Sequence, residues 1–269
     1  MSQIGVNTWV WTSPVTTAEF ERLAPHVARM GFDVIEVGIE GTGDLDYRRG
    51  AEIAKANGLT PSVCAAMGPD RDLIHSDESI RSNGMSYVRH CIDAAQTLGA
   101  PNVSGPLYSA VGRTWQATDD ERKRDVDLLV RQLGVEPLNR FETSFLNLAS
   151  QAIDVVDRVD HPACGLLLDT FHMNIEERSI GDAIRAAGKR MRHLHACEND
   201  RGAPGSGHVP WQEVASACRD VGFNGPFVIE SFTNKVKSIA RAAAIWRKFA
   251  DSQDALAENG LRYLRTLFP

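Results

Sequence analysis

The sequence has no C-x-x-C pair, no basic stripe and no long apolar run, and each absence removes a class of function. The five cysteines (Cys64, Cys91, Cys164, Cys197 and Cys218) are odd in number and widely scattered. That pattern fits neither a zinc ribbon nor a dithiol redox motif, and it predicts buried thiols used as small apolar residues. Lys and Arg together number 29 against 35 Asp and Glu, a formal charge of -6. A protein that grips a phosphate backbone by counterion release needs the opposite balance, so nucleic acid is not an expected partner. No apolar stretch approaches the roughly 18 to 20 residues that span a bilayer, so no membrane partner is expected either. The segment before Glu19 has no basic region and is broken by Gln3, Asn7, Thr8 and Pro14, unlike a signal peptide. A cytoplasmic location is the expectation. No G-x-G-x-x-G follows any strand, which disfavours an open dinucleotide-binding sheet, and the G-x-G of Gly205 and Gly207 reads as a plain turn. With no Pro- or Ser-rich linker and no internal repeat, residues 1–269 read as one catalytic domain.

What is present is regular alternation. Short β-rich runs at 4–8, 34–37, 61–64, 102–104, 134–137, 165–169, 193–196 and 227–230 are separated by amphipathic stretches. Those stretches predict helices over 17–30, 47–57, 79–98, 119–131, 145–159, 180–187, 211–221 and 239–249. Gly31, Gly58, Gly99 and Gly222 each follow a helical stretch, where a left-handed cap is expected. Eight βα units in this length make an α/β fold, a (β/α)₈ TIM barrel. Residues 252–268 carry the spacing of one more helix, suited to closing the barrel bottom or meeting another subunit.

Barrel enzymes draw their reactive groups from the C-terminal ends of strands. Four apolar runs end on a polar residue: Glu136 in LGVE, Asp169 in GLLLD, His195 in RHLH and Glu230 in PFVIE. One buried strand-end carboxylate is usually a helix cap or an ion-pair partner, but four on successive strands need a shared partner, because an isolated buried charge is costly. Three carboxylates and an imidazole form a mostly oxygen donor set suited to one divalent cation, Mn²⁺, Mg²⁺ or Co²⁺. Glu142, His172 and Arg201 follow these strands and line the mouth. Trp9, Trp11, Trp115 and Phe232 lie near strand ends, placed either to stack on a sugar or to fill the core. Trp246, inside the last predicted barrel helix, is assigned to packing.

The motifs EPLNRFET (136–143), LLLDTFHMNIEE (166–177), HLHACENDRGAPGSGHVPW (193–211) and VIESF (228–232) resemble the xylose-isomerase-like sugar isomerases and epimerases. Within that group they are most similar to the ketose 3-epimerases typified by D-tagatose 3-epimerase. The N-terminal half matches more loosely, through VNTWVWT, MGFDVIEV and SGPLYSA. The resemblance implies Glu136, Asp169, His195 and Glu230 as ligands of one divalent cation, Mn²⁺ foremost. It makes Glu136 and Glu230 the proton-transfer pair and gives Glu142, His172 and Arg201 the O1 to O3 end of an open-chain ketose, with Glu142 paired to His172. Trp11 and Trp115 are the aromatic substrate contacts. The activity implied is C3 epimerisation of free ketohexoses or ketopentoses through an enediolate, by a homodimer or homotetramer. The alternatives are an aldose–ketose isomerase of the hydroxypyruvate- or xylose-isomerase type, and a sugar-binding barrel that has lost its chemistry. The stretch between Gly105 and Glu136 is shorter than the family pattern, which compresses the fourth crossover and the start of the fifth strand.

Overall fold

A computed structural model describes residues 2–129 and 135–269. Seven parallel strands form its sheet: β1 (Ile4–Asn7), β2 (Val34–Ile39), β3 (Thr60–Ala65), β4 (Val103–Ser104), β5 (Leu166–Asp169), β6 (Met191–His195) and β7 (Phe227–Ile229). Their order is β4-β3-β2-β1-β7-β6-β5, so the sheet curls into a nearly closed barrel with β4 and β5 facing each other across the seam. Nearly every strand residue is buried on both faces, as expected where crossover helices cover a parallel sheet.

The helices are α1 (Thr17–Met30), α2 (Tyr47–Ala56), α3 (Glu78–Leu98), α4 (Asp119–Leu129), α5 (Ala149–Val159), α6 (Thr170–Glu176), α7 (Ile180–Ala187), α8 (Trp211–Asp220), α9 (Lys237–Ala242) and α10 (Gln253–Leu267). Helix α1 shows why these segments fold as they do. The Thr16 hydroxyl accepts from the Glu19 amide at its start, and Gly31 closes it at φ 94°, a left-handed conformation that costs glycine little. Between them Phe20, Leu23, Ala24 and Val27 recur at helical spacing and bury against the barrel. The C-terminal helix α10 packs on β1, β7 and α8 and buries Leu256, Ala257, Leu261 and Leu264. It starts beside Trp11, past the C-terminal end of β1, and ends beside Ser2 at the opposite end, so its apolar face covers the wall over β1 and β7. All five cysteines are buried and none forms a disulfide.

Four expectations need correction. The run at 134–137 does not make a ladder strand: Gly134 lies outside the described residues, and Val135 forms a single parallel bridge to Leu166. The chemistry beyond Val135 explains this, since Pro137 has no amide to donate and the Glu136 carbonyl accepts from the Tyr108 hydroxyl at 2.8 Å. The helix expected over 119–131 is described as far as Leu129, its last two positions lying outside the described residues. The helix expected over 239–249 spans only Lys237–Ala242, because Ala244 turns left-handed at φ 53°. Ile245 drops into a cluster with Trp9 and Phe232, whereas Trp246, expected to pack, is 75% exposed. The helix expected over 145–159 starts at Ala149, because Leu138 and Leu146 pair by backbone and hold 139–148 as a loop over the barrel mouth. Among the described residues no helix is long and apolar enough to cross a membrane.

Candidate functional site

The register of the sheet brings the strand-end acids and imidazole together. Asp169 at the end of β5 pairs with His195 at the end of β6, and His195 pairs in turn with Val228, two residues before Glu230. Glu136 reaches the same point from the segment after the Val135 bridge. All four side chains are at least 94% buried. His195 Nδ1 lies 3.5 Å from Glu230 Oε1 and 3.9 Å from Glu136 Oε1. Donor atoms of Glu136, Asp169 and His195 all lie within 4.8 Å of one another.

One atom in this cluster has no protein partner. His195 Nδ1 is fully buried yet makes no hydrogen bond, while Nε2 is held by Glu36 Oε1 at 2.9 Å. Native interiors rarely leave such an atom bare without a ligand or ion to complete it. The donor set therefore fits a divalent cation seated among Nδ1 and the three carboxylates. Asp169 divides its oxygens: Oδ1 accepts from the Phe171 amide at 2.8 Å and caps α6, and Oδ2 faces the cluster.

The charges are balanced by Arg201. Its Nη1 lies 2.6 Å from Asp169 Oδ2 and 2.7 Å from Glu230 Oε2. The guanidinium is sandwiched by aromatic faces, 4.0 Å from the Phe171 centroid and 5.2 Å from that of Phe232. Its backbone sits at φ 67°, uncommon for a side chain of this size, and the Ser231 hydroxyl donates to its carbonyl at 2.6 Å. Glu198 organises the same loop, accepting from Trp211 Nε1 and from the Gly205 and Val209 amides.

The ionisation of each group follows from this geometry. Burial raises Glu136 well above the usual carboxylate range, with Glu230 and Asp169 adding to the effect. Burial and the nearby carboxylates carry Glu230 up to about 7 despite His195 and Arg201. Burial acts the same way on Asp169, but Arg201 and His172 outweigh it and hold that acid down at about 2. Burial alone would depress His195, yet the charges of Glu230 and Glu36 carry it up to about 10. His172 is pushed down by burial and stays neutral. The amide and the side-chain nitrogen of Asn139 face its Nδ1 at 3.1 and 2.8 Å, and Arg201 Nη2 lies 3.1 Å from its Nε2.

The link expected between Glu142 and His172 runs through Asn139, whose side-chain amide also donates to Glu142 Oε1 at 2.9 Å. Trp11 donates to Asp254 Oδ1 at 2.7 Å and meets His26 edge-on, tying the first loop to α10. Trp115 is 57% exposed with Arg113 over its ring. Trp9 is buried, stacked on Phe232 at 5.7 Å, with Nε1 donating to Glu40.

Sequence reasoning missed Asn139, Glu198 and Glu36. Glu36 was detectable in principle as a lone charge inside the apolar strand VIEVGI, at a position buried on every side.

A family model described as Xylose isomerase-like TIM barrel matches residues 25–267. A probable ketose 3-epimerase from Synechocystis sp. is 32% identical, over 99% of this chain and 96% of its own. A D-psicose 3-epimerase from Ruminiclostridium cellulolyticum is 33% identical over 88% and 86%. Among solved structures, an L-ribulose 3-epimerase superposes with a TM-score of 0.93 at 28% identity, over 99% of this chain and 94% of the other.

Proposed function

From the premise that this chain belongs to the xylose isomerase-like TIM barrel family and is an enzyme of the isomerase class, we propose that it is a divalent-metal-dependent ketose 3-epimerase acting on free ketohexoses or ketopentoses. The similarity to ketose 3-epimerases supports the activity. The observation that carries the metal dependence is the bare, buried Nδ1 of His195 facing three carboxylates. Glu136, Asp169, His195 and Glu230 are the ligands in this reading, and Mn²⁺ suits them best, with Mg²⁺ or Co²⁺ as substitutes.

Inverting a carbinol next to a ketone requires removal of the C3 proton from one face and delivery of a proton to the other. Glu136, from the segment after the Val135 bridge, and Glu230, just past the end of β7, serve the two faces. A carboxyl carried up to about 7 is suited to both halves of the task, since near neutrality it can accept and donate. When bound, the cation supplies Lewis acidity where negative charge develops beside C3. The neutral His172 is assigned to a sugar oxygen, Arg201 offers its remaining N–H groups to others, and Glu142 accepts from a hydroxyl. Trp11 and Trp115 are assigned to the far end of the sugar. The homodimer or homotetramer is proposed with them, supported by the exposed aromatic rings of Trp115, Phe141 and Trp246. A cytoplasmic location fits five buried cysteines with no disulfide among them.

The test of the activity is incubation of Mn²⁺-loaded protein with D-fructose, D-tagatose and L-ribulose in D₂O. Deuterium is expected at C3, and label confined to C1 would assign an aldose–ketose isomerase instead. A protein that binds ketose without exchanging any proton would be a binding barrel.

The ionisation states also predict how loading depends on pH. Ligands must be deprotonated to coordinate, and His195 at about 10 and Glu230 at about 7 both hold protons at neutral pH. Metal affinity is therefore expected to rise between about pH 6 and about pH 9, with release of about one proton or more per ion at pH 7. Calorimetry in buffers of differing ionisation enthalpy measures the release. Affinity flat across that range would contradict the assigned ligands.

A further inference from the structure

We propose that Glu36 is a positioning residue for the ion site, its carboxylate fixing the ring of His195 so that Nδ1 faces Glu136 and Glu230. The inference rests on the cation site proposed above and extends it to a residue one layer below. Glu36 is wholly buried in the middle of β2, where the register pairs it with Asn7 of β1. A carboxylate is out of place among apolar neighbours unless donors converge on it, and here they do. Oε1 accepts from Asn7 Nδ2 at 2.9 Å and from His195 Nε2 at 2.9 Å. Oε2 accepts from the Ser62 hydroxyl at 2.8 Å and faces His193 Nε2 at 3.1 Å. Three strands besides its own, β1, β3 and β6, thus hold the carboxylate in one orientation.

A purely structural ion pair would account for Nε2 but would leave the other ring nitrogen of His195 unexplained. In a ring that holds a cation, Nε2 keeps its proton for Glu36 and the lone pair lies on Nδ1, the nitrogen that makes no hydrogen bond in the protein. Imidazole ligands commonly donate their second N–H to a carboxylate, which sets tautomer and ring orientation and strengthens the donor. Glu36 does this from across the barrel, with Ser62 and Asn7 as its own anchors. His193, two residues before His195 on the same face of β6, is the neighbour that abuts the second oxygen.

The test compares Mn²⁺ affinity of the full chain and its Glu36→Ala and Glu36→Gln variants, with near-UV circular dichroism reporting the fold. Glu36→Ala is expected to weaken Mn²⁺ binding by about 10- to 100-fold. Glu36→Gln, which keeps an acceptor oxygen for Nε2–H, should recover most of that loss. At saturating Mn²⁺ the variants should regain kcat with KM unchanged, a split that general loosening of the core would not produce. Long-range ¹H–¹⁵N spectra of the Mg²⁺-loaded parent should place the His195 proton on Nε2, and this holds even if Glu36→Ala does not fold. A parent that binds no Mn²⁺ overturns the cation site and this inference together. A parent that binds it, with Glu36→Gln weaker than Glu36→Ala, with a folded Glu36→Ala of parental affinity, or with the His195 proton on Nδ1, overturns only the role of Glu36.

Discussion

Glu136→Gln and Glu230→Gln should each lower kcat for C3 epimerisation by about 10²- to 10⁴-fold, the range for losing a positioned acid or base. The fold should survive, because glutamine keeps the volume of the side chain and both residues sit where burial already favours an uncharged form. Each substitution also weakens a ligand, so the comparison must be made at saturating Mn²⁺. The two variants should then differ in a way that loss of metal cannot imitate. If each glutamate serves one face of C3, the surviving one still removes the proton from its own epimer and returns solvent deuterium to the same side. Glu136→Gln should therefore exchange C3 of one epimer without converting it, and Glu230→Gln should do so with the other. Equal washout in both epimers, or activity within tenfold of the parent for either variant, would place the proton acceptor elsewhere.

The second large effect concerns Arg201. Its guanidinium is the cation between two buried carboxylates, Asp169 and Glu230. Removing one partner of a buried charge cluster leaves the rest uncompensated, at a cost of about 3–5 kcal/mol. For a chain of this size that is a fall in Tm of about 6–15 °C for Arg201→Ala. Mn²⁺ should reverse much of it, since a dication among the same oxygens replaces the missing charge. The activity should not return with the stability. Without the guanidinium the sugar loses a planar set of donors, and kcat/KM should fall by about 10²-fold or more on every ketose. Arg201→Lys should hold stability better than activity, because an ammonium supplies charge but not the fork. Scanning calorimetry with and without Mn²⁺, beside steady-state rates, checks both halves. Full recovery of turnover by Mn²⁺ would show that Arg201 only balances charge.

The strand-end residues were legible in the sequence because a charge that terminates an apolar run stands out against its own strand. Asp169 and His195 lie at adjacent register positions, a pairing that follows from consecutive parallel strands. Glu36 has the same origin but sits inside its run, where one polar letter between Ile35 and Val37 looks like noise until the barrel closes around it. Asn139 was invisible for another reason. Its importance lies in one amide reaching both Glu142 and His172, a relation across 33 residues that no local pattern encodes. The misread strand at 134–137 shows apolar periodicity overruled by proline chemistry and by a tyrosine hydroxyl that takes the carbonyl. The overlong helix at 239–249 shows an alanine-rich stretch broken where Ile245 finds a pocket beside Trp9.

The division of labour within Asp169 separates what the fold needs from what the chemistry needs. One oxygen starts a helix and the other faces the reacting centre, so Asp169→Asn keeps a carbonyl for the Phe171 amide while withdrawing the negative charge. Such a chain should keep the start of α6 but melt below the parent, because buried Arg201 loses the carboxylate 2.6 Å away. It should still admit ketose yet turn none over, which calorimetry, soaking and rate measurements together would reveal. On the reading proposed above, exchange of this one carboxylate for the amide would be a single step by which such a barrel could become a receptor.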